Sequence, residues 1–198
     1  IQVGQKVPDF TLESYNPVKG DFDQFSLKTN MDAGKWTYLF FYPADFTFVC
    51  ATEFAALAKK QDDFSEKGVE IVTVSSDTNY VHRAWHESEG SLKEAKYQMG
   101  ADPTGTVGRM FGCYIDEAGV SLRGAFLIAP DGTLLNSEVN FLNLGRNVDE
   151  WLRKQGIKVS APPNQDLASM SLEELTREKE RFEDLIAERE MAGGSEPA

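Results

Sequence analysis

Cys50 lies at the junction between a segment that predicts a strand and a segment that predicts a helix. Residues 36–41, WTYLFF, are aromatic and β-branched and stop just before Pro43, which is typical of a buried strand. Residues 51–60, ATEFAALAKK, are typical of a helix. Cys50 is therefore expected near a helix N-terminus, where unpaired N–H groups and the positive end of the helix dipole favour a thiolate over a thiol.

The composition limits the compartment and the partners that we expect for this protein. Two cysteines in 198 residues are too few for a disulfide framework and indicate a reducing compartment, and no secretory signal pattern precedes Val3. We therefore expect a cytoplasmic protein. No stretch approaches the roughly 20 apolar residues of a membrane span. A net charge of −12 without clustered Lys and Arg disfavours nucleic acid as a partner.

The periodicity of the chain predicts an α/β fold. The predicted strands cover residues 36–42, 69–75, 124–128 and 133–139. The predicted helices cover residues 47–60, 80–87, 105–111 and 148–154. Alternating strands and helices, followed by a hairpin whose turn is residues 129–132, favour a mixed central sheet flanked by helices.

The character of the sequence changes near residue 159. Residues 160–164, SAPPN, predict a linker, and Ser171 to Glu174 has the spacing of a capping box for a new helix that runs to about Met191. We therefore divide the chain into a domain at 1–158 and a C-terminal linker and amphipathic helix at 159–198. Such a helix could dock on its own domain or form an arm that packs on a neighbouring subunit.

A motif around the cysteine links the chain to a known family. The pattern Pro43-x-x-x-Thr47-x-x-Cys50 resembles the active-site signature of the peroxiredoxins, and residues 40–53 resemble the bacterial alkyl hydroperoxide reductase peroxidase-subunit branch. Further resemblances cover about residues 1–155 and lie at 3–10, 74–78, 84–86, 102–105 and 123–132. The resemblance implies a thioredoxin-like fold and a thiol-dependent peroxidase. We expect no cofactor and no metal.

The same resemblance implies roles for five residues. Cys50 would be the nucleophile that peroxide oxidises to a sulfenic acid, and Pro43 would shield it from water. Arg123 would stabilise the thiolate, with Glu53 orienting its guanidinium group. The Thr47 hydroxyl would join Arg123 in contacting the peroxide.

Physical chemistry explains why such a site needs more than a reactive thiolate. A free cysteine is already a few per cent thiolate at pH 7, so complete ionisation gains at most roughly 30-fold in rate. Charge also builds on the departing oxygen as the O–O bond breaks, and it must be met by preorganised donors. A guanidinium fork at Arg123 and the hydroxyl of Thr47 have the chemistry for this task.

Other interpretations of these residues remain open. Taken singly, Cys50 could be an inert buried residue, Thr47 a helix N-cap, Pro43 a strand end and Arg123 a surface charge. A thioredoxin-like disulfide reductase is disfavoured because residues 50–53, CATE, lack a second cysteine.

A metal site is also conceivable, since His82 and His86 are four residues apart and would share one helix face. Two ligands without a nearby cysteine or carboxylate pattern disfavour it. His86 is better explained by packing or capping, and Trp85 by a place in the core or an interface.

The resemblance breaks at the residue that would regenerate the thiol. Two-cysteine relatives use a cysteine in the partner subunit's C-terminal arm, whereas the corresponding region here, residues 165–170, reads QDLASM. An external thiol or a thioredoxin-like protein could instead reduce Cys50. Alternatively, Cys113 could resolve the sulfenic acid, which requires Cα atoms within about 7 Å; a plain core or interface role for Cys113 is favoured over this.

We therefore predict a thiol peroxidase that reduces hydrogen peroxide and small organic hydroperoxides. The alternative is a peroxide sensor or oligomeric chaperone that uses the same oxidation of Cys50. The resemblance further implies a homodimer or a decamer of five dimers.

Overall fold

The computed structural model describes residues 1–148 and 150, and a seven-stranded mixed sheet forms the centre of this part of the chain. The strands are β1 Thr11–Asn16, β2 Asp21–Ser26, β3 Trp36–Phe41, β4 Val69–Ser75, β5 Gln98–Ala101, β6 Tyr114–Ile115, β7 Val120–Ser121, β8 Arg123–Ile128 and β9 Leu134–Asn140. The strands of the sheet lie in the order β2-β1-β5-β4-β3-β8-β9, and β6 and β7 form a separate small hairpin.

Helices connect these strands and cover the sheet. Their bounds are α1 Leu27–Asp32, α2 Phe48–Ala58, α3 Gln61–Ser65, α4 Asn79–Ser88 and α5 Thr106–Met110, with a 3-10 turn at Gly90–Leu92. Side-chain oxygens cap the starts of α1 and α4: the Thr29 N–H donates to Ser26, and the Val81 N–H donates to Thr78.

The topology brings two distant segments to one end of the sheet. β3, β4 and β5 run parallel, whereas β8 runs antiparallel to β3 with Ala125 opposite Phe40. The first residue of β8, Arg123, therefore lies beside the loop that leaves the carboxyl end of β3. That loop leads directly into α2, so the sheet places Arg123 next to the start of this helix.

The sheet separates two apolar clusters. Alternate residues of β8 face opposite sides, with Ala125 and Leu127 in one cluster and Phe126 and Ile128 in the other. The first cluster contains Cys50 and the aromatic rings around α2, and the second contains Cys113. The two cysteines of the chain thus belong to different sides of the sheet.

The structure confirms an α/β fold with a mixed sheet flanked by helices. The four predicted strands are β3, β4, β8 and β9, and three predicted helices correspond to α2, α4 and α5. The predicted turn at residues 129–132 also forms, with the Gly132 N–H donating to the carbonyl of Ala129 at 2.8 Å. The sequence analysis missed β1, β2, β5, the β6–β7 hairpin, α1 and α3.

The C-terminal predictions concern a different part of the chain. The domain boundary at residue 159, the linker, the capping-box helix and most of the helix at 148–154 lie outside the described residues. Within residues 1–148 and 150, no helix is long and apolar enough to span a bilayer.

Candidate active site

Cys50 occupies the first turn of α2 and is fully buried. Thr47 is the N-cap of this helix, so Cys50 is its third residue and its N–H has no partner within the helix. The side chain packs in the apolar cluster on the α2 side of the sheet. The expectation of a cysteine at a helix N-terminus therefore agrees with the structure.

Arg123 reaches the sulfur of Cys50 from the start of β8. Its Nη1 lies 3.4 Å from Sγ, within hydrogen-bonding range for a sulfur acceptor. The same Nη1 donates to Oε2 of Glu53 at 2.5 Å, and Nε donates to the carbonyl of Leu142 at 2.6 Å. These bonds hold the guanidinium plane in one orientation against the thiol.

A second arginine, Arg146, completes the cluster, and sequence reasoning missed it. Its Nε and Nη2 donate to the carboxylate of Glu53 at 3.0 and 3.2 Å, and its backbone N–H donates to Oε1 at 2.8 Å. Nη1 donates to the carbonyl of Gly124 at 2.6 Å, and the guanidinium carbon lies 3.4 Å from the centroid of the Phe40 ring. Arg146 thus fixes Glu53, which in turn binds Arg123.

The charges of this cluster do not balance without Cys50. The side chains of Arg123 and Arg146 are 3% and 2% exposed and each carries a positive charge, whereas Glu53 supplies a single carboxylate between them. One positive charge therefore remains in a buried site. A thiolate at Cys50 would neutralise it, because Arg123 already donates toward its sulfur.

The loop between β3 and α2 brings the other two predicted residues to the same region. Pro43 is half-buried, and Thr47 is exposed, with its hydroxyl donating to the carbonyl of Ala44 at 3.0 Å. Phe46 between them has φ of +57°, a left-handed conformation that is strained for a bulky residue. The loop is thus held in one specific conformation directly before the helix that carries Cys50.

Cys113 is not brought together with Cys50. It is buried among Phe111, Phe126 and other apolar side chains on the opposite side of the sheet. Burial, followed by the charge of nearby Asp102, raises the pKa of its thiol to about 12. Cys113 is therefore a neutral core thiol, which agrees with the favoured interpretation of this residue.

The two histidines of the chain have separate partners. Nδ1 of His82 lies 2.8 Å from Oδ2 of Asp45, and Nε2 lies 3.1 Å from the carbonyl oxygen of Gly100. Nε2 of His86 instead lies 3.1 Å from the carbonyl oxygen of Ala95. Across the part of the chain that the structure describes, no three His, Cys, Asp or Glu side chains come together as a metal site.

Comparison with known sequences identifies the family of the chain. Residues 3–137 match the model of the AhpC/TSA family. A selenocysteine-containing peroxiredoxin of Peptoclostridium acidaminophilum is 45% identical over 157 residues, which cover 78% of this chain and 75% of the relative. Alkyl hydroperoxide reductase C of Staphylococcus haemolyticus is 36% identical over 152 residues, covering 77% of this chain and 79% of the relative.

Comparison with solved structures identifies the fold of the same family. The crystal structure of AhpC from Enterococcus faecalis superposes with a TM-score of 0.74 and 36% sequence identity. The match covers 78% of this chain and 90% of the Enterococcus chain. The thioredoxin-like architecture of the peroxiredoxins is thereby confirmed. The chain belongs to the AhpC/TSA family and is a peroxiredoxin, a thiol-dependent peroxidase.

Proposed function

We propose that Cys50 is the nucleophile that reduces hydrogen peroxide and small organic hydroperoxides. The thiolate attacks one peroxide oxygen, an S–O bond forms as the O–O bond breaks, and the departing oxygen leaves as water or an alcohol after it takes a proton. Cys50 becomes a sulfenic acid. The observation that carries this proposal is the guanidinium of Arg123, held 3.4 Å from a buried sulfur at a helix N-terminus.

The neighbouring residues divide the remaining work. Arg123 stabilises the thiolate and meets the charge that develops on the peroxide oxygens. Glu53 holds Arg123, and Arg146 holds Glu53 from the opposite side. Pro43 limits the access of water to the sulfur. The Thr47 hydroxyl lies one helical turn before Cys50 and turns from the carbonyl of Ala44 to donate to the peroxide.

The sulfenic acid is reduced by an external thiol. The thiol attacks the Cys50 sulfur and releases water, and a second thiol equivalent then releases Cys50 as a thiol and leaves as a disulfide. A small thiol or a thioredoxin-like protein could supply both equivalents. Cys113 lies in the apolar cluster on the other side of the sheet from Cys50, which supports this route, since a disulfide requires Cα atoms within about 7 Å.

Membership of the family supports a proposal for the assembly and location of the protein. We expect a homodimer, or a decamer of five such dimers, in the cytoplasm. A relative that is named a reductase supports repeated turnover over the single oxidation of a sensor or a chaperone.

Intact-mass spectrometry tests the nucleophile and the route together. One equivalent of hydrogen peroxide added to the reduced protein should add one oxygen to the native chain and to Cys113→Ser, and none to Cys50→Ser. Repeated consumption of peroxide with a supplied thiol should follow the same pattern. A mass loss of two hydrogens that vanishes in Cys113→Ser would instead make Cys113 the resolving residue. Oxidation of Cys50→Ser at the native rate would refute the proposed nucleophile.

A further inference from the structure

A buried carboxylate anchors the loop that precedes α2. Asp45 lies in this loop with no exposed side-chain surface. Oδ1 accepts the hydroxyl of Tyr42 at 2.6 Å, and Oδ2 lies 2.8 Å from Nδ1 of His82. Burial and the charge of Asp45 raise the pKa of Tyr42 far above its usual range, so the phenol stays protonated and donates.

The His82 ring is fixed at both nitrogens. Nε2 faces the carbonyl oxygen of Gly100 in β5, which can only accept, so this nitrogen carries a proton. Nδ1 lies 2.8 Å from Oδ2 of Asp45 and 3.3 Å from the hydroxyl of Tyr42. The imidazole therefore spans from the central sheet to the loop, and the ring is fully buried.

The backbone of Asp45 is held as firmly as its side chain. Its N–H donates to Oδ2 of Asp77 at 2.8 Å, and the hydroxyl of Ser75 donates to the same oxygen at 2.8 Å. The next residue, Phe46, has the left-handed conformation, and Thr47 follows as the N-cap of α2. Strain of this kind persists only where surrounding contacts over-determine the backbone, and the contacts of Asp45 do so here.

We propose that His82 is a positioning residue for the peroxidase reaction, because it holds the 43–47 loop through Asp45 and thereby aims the Thr47 hydroxyl at the bound peroxide. His82 lies on α4. The bonds at its two ring nitrogens reach neither Cys50 nor the cluster of Arg123, Glu53 and Arg146. This inference rests on the proposed attack of Cys50 on peroxide. It assigns a function to the buried hydrogen bonds among Tyr42, Asp45 and His82, which are separate from the arginine cluster.

Two substitutions of His82 test the contacts of Nδ1 and Nε2 separately. His82→Asn places an amide N–H where Nδ1 faces Asp45, whereas His82→Gln places one where Nε2 faces Gly100. Both are made in Cys113→Ser so that Cys50 is the only thiol. We expect His82→Gln to lower the rate constant with hydrogen peroxide about 10- to 100-fold, and His82→Asn to remain within about threefold of the parent, because a misplacement of about 1 Å has effects of this size.

Alkylation of Cys50 by iodoacetamide provides the second measurement. It requires the thiolate but not the aimed hydroxyl, so we expect His82→Gln to leave its rate unchanged or raise it. An equal loss in both variants, parallel losses in peroxide and alkylation rates, or no loss in His82→Gln would overturn the proposal. A parent that peroxide does not oxidise would instead refute the proposed function.

Tyr42→Phe carries the test if His82→Gln does not fold. It removes the other side-chain donor to Asp45 with little change in volume. The same selective loss of peroxide rate is expected, and equal peroxide rates in Tyr42→Phe and the parent would overturn the proposal.

Discussion

A single carboxylate, Glu53, organises the chemistry at Cys50. It accepts bonds from the side chains of two buried arginines and from one backbone N–H, so both oxygens are fully used. Burying charges is costly unless each one is paired, and removal of one partner leaves the others uncompensated. Glu53 therefore supports both the orientation of Arg123 and the stability of this part of the fold.

We expect Glu53→Gln to be strongly destabilising although it keeps the shape of the side chain. Two guanidinium groups would remain buried without a carboxylate, which costs about 3 kcal/mol of the free energy of unfolding. Urea denaturation of the variant and of Glu66→Gln, which alters an exposed residue, measures the difference. Equal midpoints and slopes for Glu53→Gln and the native protein would contradict the interpretation of the cluster.

The sequence predicted part of this cluster, and the missing member has a physical explanation. The family motif identified Arg123 and Glu53, whose roles here remain proposals. Arg146 follows β9 in a segment with no periodic pattern, so nothing local marked it. Gly145, directly before it, gave no signal either, because a Cβ there would make only ordinary contacts, 3.6 Å from Val49 and 4.0 Å from the Glu53 carboxylate.

At the scale of elements, α2 begins without the usual cap. Thr47 occupies the N-cap position, but its hydroxyl makes no bond to the first turn and donates to Ala44 instead. A residue that gives up capping leaves first-turn N–H groups free to interact with Cys50. The hydroxyl is therefore available for a task other than helix stability.

Thr47→Val should separate the two tasks. It keeps the shape of the side chain and loses the hydroxyl, so we expect the peroxide rate to fall at least about tenfold, a typical effect of losing one transition-state donor. The free energy of unfolding should change by about 0.5 kcal/mol or less, since no cap is lost from this exposed position. Stopped-flow kinetics and urea denaturation provide the two values.

Thr47→Ser is the matched control because it restores a hydroxyl and should restore most of the rate. A Thr47→Val protein that reacts as fast as Thr47→Ser would remove Thr47 from the mechanism.

The apolar strands β3 and β4 were predictable from the sequence, whereas β5 was not. β3 and β4 are six and seven residues long and rich in aromatic and β-branched residues. This pattern is typical of buried parallel strands. β5 has four residues and includes Gly100, whose missing Cβ would lie 3.0 Å from Leu12 and 3.4 Å from the Thr73 carbonyl oxygen. Such a strand forms because neighbouring strands pair with it, so its own sequence gives little indication of a strand.

At the scale of the whole molecule, the two edges of the sheet differ in character. The β2 edge presents Asp21 and Asp23, and such charges discourage pairing with another strand. The β9 edge presents the exposed apolar residues Leu135 and Val139, and Phe141 follows it. No strand in the described part of the chain pairs with the outer side of β9. This edge is therefore the surface on which we expect a second copy of the chain to pair.

Exposed aromatic side chains also lie in the active-site loop and at the start of α4. Phe46 is 60% exposed, with its ring 6.3 Å from that of Trp85 in α4, and Tyr80 is 70% exposed. A ring of dimers requires a second contact besides the one that joins the copies of a dimer, and we expect Tyr80 to lie in that contact if the dimers form a ring.

Val139→Lys and Tyr80→Lys should therefore have different effects on assembly. A lysine at the β9 edge blocks strand pairing and should reduce the protein to monomers, whereas a lysine at Tyr80 should leave dimers that no longer join into a ring. Sedimentation velocity at one protein concentration distinguishes the three species. Val18→Lys makes the same change at a 72% exposed residue in the β1–β2 turn and should sediment as the native protein does. A Val139→Lys protein that also sediments unchanged would place the dimer contact elsewhere, because an edge that tolerates a charged residue is not buried between copies.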